Sequence, residues 1–327
     1  MPLLYPLRKD LNKPLRGLRN IPILFNLIGI ALTLLFIWLS ILVFQPASLY
    51  EQLKSLLEKP FVLLALVIFY SAAFVLRAFA WRLYLQNKVS LQKCLAGLLY
   101  SLFINHLSPL KVGDAVRAAV FKNDKEVTLR QAAHSVVVLR MLDMLILVIF
   151  SGTGLLYLYG KLQVNLPVLT VLAMAAAAVF ITVKIKFPGF LKEQISQLKQ
   201  GFRGLHGAVI ILLVALSWIF EAVVIFGIAS PESLSFMEAV WVNSVTISGQ
   251  VFQVTPGGVG TYETVMTFAL NITGASMKEA YEYAVISHGF KFVFSYAGGI
   301  AAFLLLPLQV RELTYFMKRK ERLKWRK

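Results

Sequence analysis

Two apolar segments of this chain are broken in the middle by Pro, Gly and charged residues, and they restrict its fold more than any other feature. The first, Cys94–Leu107, runs into "SPLKVGD" and resumes as Ala115–Phe121. The second, Glu238–Val254, runs into "TPGGVG" and resumes as Thr261–Ile272. Each half is short for a bilayer crossing, which takes about 20 apolar residues in a helix. Non-helical backbone at membrane depth is tolerated only where protein or a wet cavity surrounds it. Both segments are therefore expected to form re-entrant helical hairpins, over 94–121 and 238–272.

Six unbroken apolar runs flank them: Ile23–Phe44, Phe61–Trp81, Gln131–Tyr157, Leu166–Ile185, Gly207–Ala229 and Lys278–Leu306. The chain is 58% hydrophobic and 15% charged, where soluble domains carry about 25% charge. The expected class is an all-α polytopic membrane protein with six full spans plus the two hairpins. The first run exceeds a signal-peptide core of about 7–15 residues, so it reads as a retained span. One cysteine, Cys94, leaves no internal disulfide, and four His without HExxH spacing give no metal site. A formal charge of +17 would suggest nucleic acid in a soluble chain. Beside membrane spans, basic residues instead set topology, and no nucleic-acid partner is expected.

With the N terminus in the cytoplasm and each hairpin returning to its own side, the inside segments hold 24 Lys and Arg against 4 outside. The positive-inside rule favours that orientation, with both termini cytoplasmic in a plasma membrane. The same topology exposes a repeat. After a basic segment, 1–22, residues 23–158 contain span, span, hairpin, span. Residues 159–308 contain the same order inverted, and 309–327 form a basic tail. Pro109 precedes Gly113 by four positions, as Pro256 precedes Gly260. Inverted repeats with broken helices near the midplane are a transporter architecture.

Intramembrane charge marks the candidate site, because a charge at a helix centre costs roughly 2.5–3.5 kcal/mol on insertion scales. The cations are Arg77, Lys111, Arg117, Arg140 and Lys291; the anions are Asp114, Asp143, Glu221 and Glu263. Arg140 and Asp143, three apart, share a helical face and can neutralise each other. His288 and Lys291 have the same spacing but no carboxylate on their face, so they need one from another helix or a bound anion. Arg77 and Glu221 lie at similar depth in the second span of each half and can pair across the pseudo-two-fold axis, as a structural bridge or a gate.

Helix N termini favour anions, and Lys111 and Arg117 add positive charge to the resumed helix after "SPLKVGD". Asp114 is a candidate N-cap there. In "TPGGVGTYE", Thr261 is the candidate cap. Glu263 is open between partner of the helix dipole and titrating carboxylate. Gly257, Gly258 and Gly260 permit a tight turn and close approach. Neither GxxxxGK[ST] nor GxGxxG is present, so no nucleotide cofactor is expected. Nor is there a GxSxG nucleophile or a recognisable carboxylate pair.

"LSPLKVGDAVR", followed about 140 residues later by "TPGGVGTYE", resembles the lysylphosphatidylglycerol synthase transmembrane-region family, which includes the flippase half of bacterial multiple peptide resistance factors. The matching positions are Pro109, Gly113, Asp114 and Arg117, then Pro256, Gly257, Gly258, Gly260 and Glu263. Bifunctional members carry a soluble aminoacyl-transferase domain after the membrane part. This chain ends at Lys327, so the resemblance implies lipid translocation without lipid aminoacylation.

The expected function is a flippase or lipid-linked substrate transporter. Its partner is an anionic phospholipid or a polyprenyl phosphate, and a homo-oligomer is compatible with the pattern. Lys111, Arg117, Arg140, His288 and Lys291 would bind the headgroup with the glycine turn, while Arg77, Asp143, Glu221 and Glu263 would couple or gate. One alternative is a membrane-embedded enzyme acting on a lipid phosphate or lipid-linked sugar, with Asp114 or Glu263 as base. The other is a non-transporting scaffold using the basic tail "KRKERLKWRK".

Overall fold

The computed structural model describes residues 21–43, 46–108, 112–158, 202, 204–229, 234–252 and 255–307. The expected span at 166–185, both basic terminal segments, Pro109 and Lys111 lie outside these residues. Among the described residues, all regular structure is helical: α1 (Ile21–Val43), α2 (Pro46–Leu57), α3 (Pro60–Tyr84), α4 (Leu91–Leu107), α5 (Gly113–Ala119), α6 (Leu129–Leu158), α7 (Gly204–Ile228), α8 (Phe236–Gly249), α9 (Thr261–Ile272) and α10 (Met277–Leu305). Four of them, α3, α6, α7 and α10, are long and apolar enough to cross a membrane. Their outward faces carry exposed Leu145, Val148, Leu212, Val293 and Leu304. In water such a surface would aggregate; in lipid it is solvated.

Local chemistry sets the helix ends. Pro60 opens α3, where its missing N–H is not needed. Gln86 and Asn87, both at positive φ, then turn the chain toward α4. Ser90 caps α4 by accepting from the Lys93 N–H at 3.2 Å. Ser235 with Glu238, and Ser276 with Glu279, form reciprocal capping boxes at the starts of α8 and α10.

Both interrupted segments do break into two helices. α4 ends at Leu107 and α5 begins at Gly113, while α8 and α9 are separated by two 3₁₀ turns, Gln250–Phe252 and Pro256–Gly258. Gly113 lets α5 start hard against α4: its N–H donates to Asn105 Oδ1 at 2.9 Å, and an added methyl would collide with the Ser101 carbonyl.

The centre of the fold is the crossing of α3 with α7. Leu66 meets Gly227, Phe69 stacks edge-on against Phe220, and Arg77 reaches Ser217. Residue numbers rise along one helix as they fall along the other, so the two run antiparallel. α4 packs on α3, α5 and α10, and α8 packs on α7, α9 and α6. In these contacts large side chains enter grooves over glycine: Leu99 and Phe103 over Gly298 and Gly299, and Trp241 over Gly154. Buried apolar residues form two clusters. One surrounds Trp81 and Phe121, and the other surrounds Tyr262, Met266 and Leu270.

Candidate functional site

A cavity of about 340 Å³ lies where α3, α4, α5, α6, α7, α9 and α10 converge, and its wall includes Arg77, Asp114, Arg117, Arg140, Asp143, Glu221, Gly257, His288 and Lys291. All nine were candidates from sequence. Charges from both halves of the chain thus face one space. Gly258 and Gly260 sit in the turn backbone, outside the wall, and Glu263 stands behind His288.

Glu221 holds two cations. Its Oε2 accepts from Arg77 Nη2 at 2.7 Å, and its Oε1 accepts from Lys291 Nζ at 2.9 Å. Arg77 also donates to Ser217 Oγ at 3.0 Å and lies 3.9 Å over the Trp218 ring. Lys291 donates to Asn243 Oδ1 at 3.2 Å and faces the Tyr262 ring at 5.3 Å. The bridge anticipated between Arg77 and Glu221 therefore forms. The carboxylate that Lys291 needed comes from another helix, and it is the same one.

The first half differs from its simplest reading. Arg140 does not pair chiefly with Asp143, which is 3.7 Å from Nη1. It forks onto Asp114, with Nε at 3.0 and 3.1 Å from the two oxygens and Nη2 at 3.0 Å from Oδ1. A guanidinium prefers the bidentate partner, and α5 brings Asp114 within reach. Asp143 accepts from Trp218 Nε1 at 3.1 Å. Asp114 accordingly does not cap α5. Val112 occupies the cap position without a side-chain bond, and Asp114 lies inside the first turn.

Arg117 is the exception in this network. It is 3% exposed, its guanidinium lies 4.1 Å over the Trp81 ring, and its Nε has no hydrogen-bond partner. Among the described residues, no carboxylate oxygen lies within salt-bridge distance of it, and Asp114 and Asp143 act on it only from farther off. A buried guanidinium without a directly bonded counter-ion is costly unless a further group engages it.

At the second break, Gly260 rather than Thr261 takes the N-cap position of α9. Glu263 does two things at once. Oε2 accepts the Gly260 N–H at 2.6 Å, and Oε1 lies 2.7 Å from His288 Nδ1. The opposite ring nitrogen, Nε2, is 3.1 Å from the Gly257 carbonyl oxygen. Tyr262 stacks on the imidazole with centroids 4.1 Å apart and fixes its plane through a 2.9 Å bond to Ser287. Gly257 sits at φ 65°, and an added methyl would meet the Phe292 ring. That conformation aims its carbonyl at His288.

Counting charges alone passes over the neutral partners. Ser217, Trp218 and Asn243 are polar or amphipathic interruptions in apolar helices, and Tyr70, Ser101, Asn105 and Tyr262 line the wall. Ser217 and Glu221 are four apart on one face of α7, a spacing visible in the sequence. No group of three or more His, Cys, Asp and Glu side chains clusters as metal ligands would among the described residues.

A family model described as "Lysylphosphatidylglycerol synthase TM region" matches residues 26–299. No curated protein and no solved structure matches the chain.

Proposed function

The chain belongs to the lysylphosphatidylglycerol synthase TM region family, and from that premise we propose that it is an integral membrane flippase for a lipid with an anionic headgroup. The observation that carries this reading is Arg117, a buried guanidinium with no carboxylate in salt-bridge distance and an unbonded Nε, on the wall of a charged cavity among lipid-exposed helices. A phosphate in the cavity would give Arg117 the directly bonded anion it lacks, with planar guanidinium geometry suited to two of its oxygens. The acyl chains, whether phospholipid or polyprenyl, stay in the bilayer while the headgroup crosses through the cavity.

The packing favours six full spans and two re-entrant hairpins in an inverted repeat. Exchanging α4 for α8, α5 for α9 and α6 for α10 turns each main contact into another that is present: α4 on α10 becomes α8 on α6, and α3 on α4 becomes α7 on α8. The antiparallel crossing of α3 with α7 lies on the axis of that exchange. In this arrangement both termini are cytoplasmic and the membrane is the plasma membrane. The enzyme alternative needs Asp114 or Glu263 as a free base, yet Arg140 engages the first, and His288 with the Gly260 N–H engages the second.

The test is headgroup movement in proteoliposomes that carry fluorescent phosphatidylglycerol or a short polyprenyl phosphate, read by dithionite quenching. Movement faster than in empty vesicles for an anionic lipid, with phosphatidylcholine unaffected, supports the proposal. Equal rates for every lipid would sink it.

A further inference from the structure

His288 lies between two oxygens. The Gly257 carbonyl can only accept a hydrogen bond, and an ionised Glu263 can only accept one as well. With Nε2 at 3.1 Å from the first and Nδ1 at 2.7 Å from the second, a neutral imidazole beside a carboxylate has one N–H for two acceptors. Two lone pairs would then face each other across a buried contact. Both bonds form when the pair holds one further proton, either as imidazolium beside carboxylate or as imidazole beside carboxylic acid. The stacked Tyr262 ring and the Gly260 N–H on Glu263 Oε2 keep the two groups from turning away.

Charge around the cavity gives that proton a role. Among the described residues, the cations Arg77, Arg117, Arg140 and Lys291 are balanced by the carboxylates Asp114, Asp143, Glu221 and Glu263. Without the extra proton the set is neutral; with it, the set carries one positive charge. The groups facing His288 are Glu263 and Tyr262 from α9, His106 from α4 with its ring centroid 6.3 Å away, and Lys291 with Glu221 deeper along α10 and α7. His106 is occupied by the Leu102 carbonyl at 2.9 Å.

We propose that the Glu263–His288 pair is a proton-binding site, taking up one proton with each anionic headgroup that enters the cavity, so that headgroup transfer is coupled to proton transfer. This rests on the flippase reading above and adds its energy source. The anion neutralises the single positive charge that the proton creates, so each ligand strengthens the binding of the other by the same factor. Neither gains as much alone.

The experiment is titration of the purified full-length protein with dihexanoyl-phosphatidylglycerol, and in a second arm with soluble sn-glycero-3-phosphoglycerol, a phosphodiester that like the lipid keeps one negative charge, across roughly pH 5 to 10, the range that brackets imidazole titration. For the wild type, affinity is expected to be flat on the acid side and to fall about tenfold per pH unit on the alkaline side, with about one proton taken up per ligand there. His288→Gln removes the proton and is expected to bind weakly at every pH. Glu263→Gln removes one negative charge and is expected to bind tightly at every pH, so the two variants depart in opposite directions. The same slope with the soluble phosphate supports the proton site while moving the anion's source from lipid to solution. Wild-type binding that is tight and independent of pH would overturn the coupling and leave the flippase reading standing. Retention of the wild-type slope in both variants would overturn it equally, by assigning the proton elsewhere. Absence of binding in both arms would remove the headgroup reading, and this inference with it.

Discussion

Lys291 and Glu221, seventy residues apart, meet at 2.9 Å, and the same carboxylate binds Arg77 through its other oxygen. One buried acid therefore joins α3, α7 and α10. Removing it strands two cations in a space almost closed to solvent. Glu221→Gln is expected to lower stability by about 3–5 kcal/mol, read as thermal unfolding in detergent. Glu221→Gln combined with Lys291→Met should recover part of that loss, which a double-mutant cycle would detect.

Arg117 predicts the opposite balance. With no carboxylate to strand, Arg117→Met should leave the unfolding temperature near wild type or raise it. Headgroup binding should weaken by about 1.5–3 kcal/mol, the loss of a charge-assisted hydrogen bond. Arg117→Lys keeps charge but not the planar stack on Trp81, so it should recover only part of the affinity. A large drop in stability with unchanged binding would make Arg117 structural.

Gly257 is at positive φ with Phe292 in the way of any β-carbon. Gly257→Ala is expected to cost about 1–3 kcal/mol and to displace the carbonyl that His288 bonds. Gly274 is also at positive φ but has open space around it, so Gly274→Ala should carry the backbone strain without the clash. Comparing the two by thermal unfolding separates the terms.

Outside the spans, burial pushes the Asp124 carboxyl up. The hydrogen bond from Lys93 and the Glu126 and Val127 N–H groups outweigh it and hold the carboxyl below its ordinary range. A depressed carboxylate contributes stability above its unfolded value, about 4, and that contribution disappears as pH falls through the lower folded value. Asp124→Asn should lose about 0.5–1.5 kcal/mol near neutrality and flatten the acid limb of a stability–pH curve.

The helical class, both breaks and nine of the cavity residues were legible because membrane depth makes charge and Pro–Gly conspicuous. The partner choices were not. Arg140 and Asp143 satisfy a spacing rule on one helix, yet Asp114 from α5 offers the better fork. Asp114 and Thr261 look like caps in sequence, whereas the caps fall one or two residues earlier, at Val112 and Gly260. Spacing reports what shares a face; it says nothing of what another helix brings to that face. Arg117 was visible as a charge, but its lack of a direct ion pair appears only when the neighbouring carboxylates are seen to be bonded elsewhere.

The packing of α4 against α10 also bears on how the protein is made. Leu99 and Phe103 settle over Gly298 and Gly299, which leave the ribosome roughly 200 residues later, about 10–40 s at ordinary elongation rates. Through that interval α3 and α6 already cover part of the first broken segment, but the face of α4 that meets α10 stays open. The nascent half must wait with that face unpacked, so a chain stopped before α10 should be a target for membrane quality control rather than a half-protein that folds by itself.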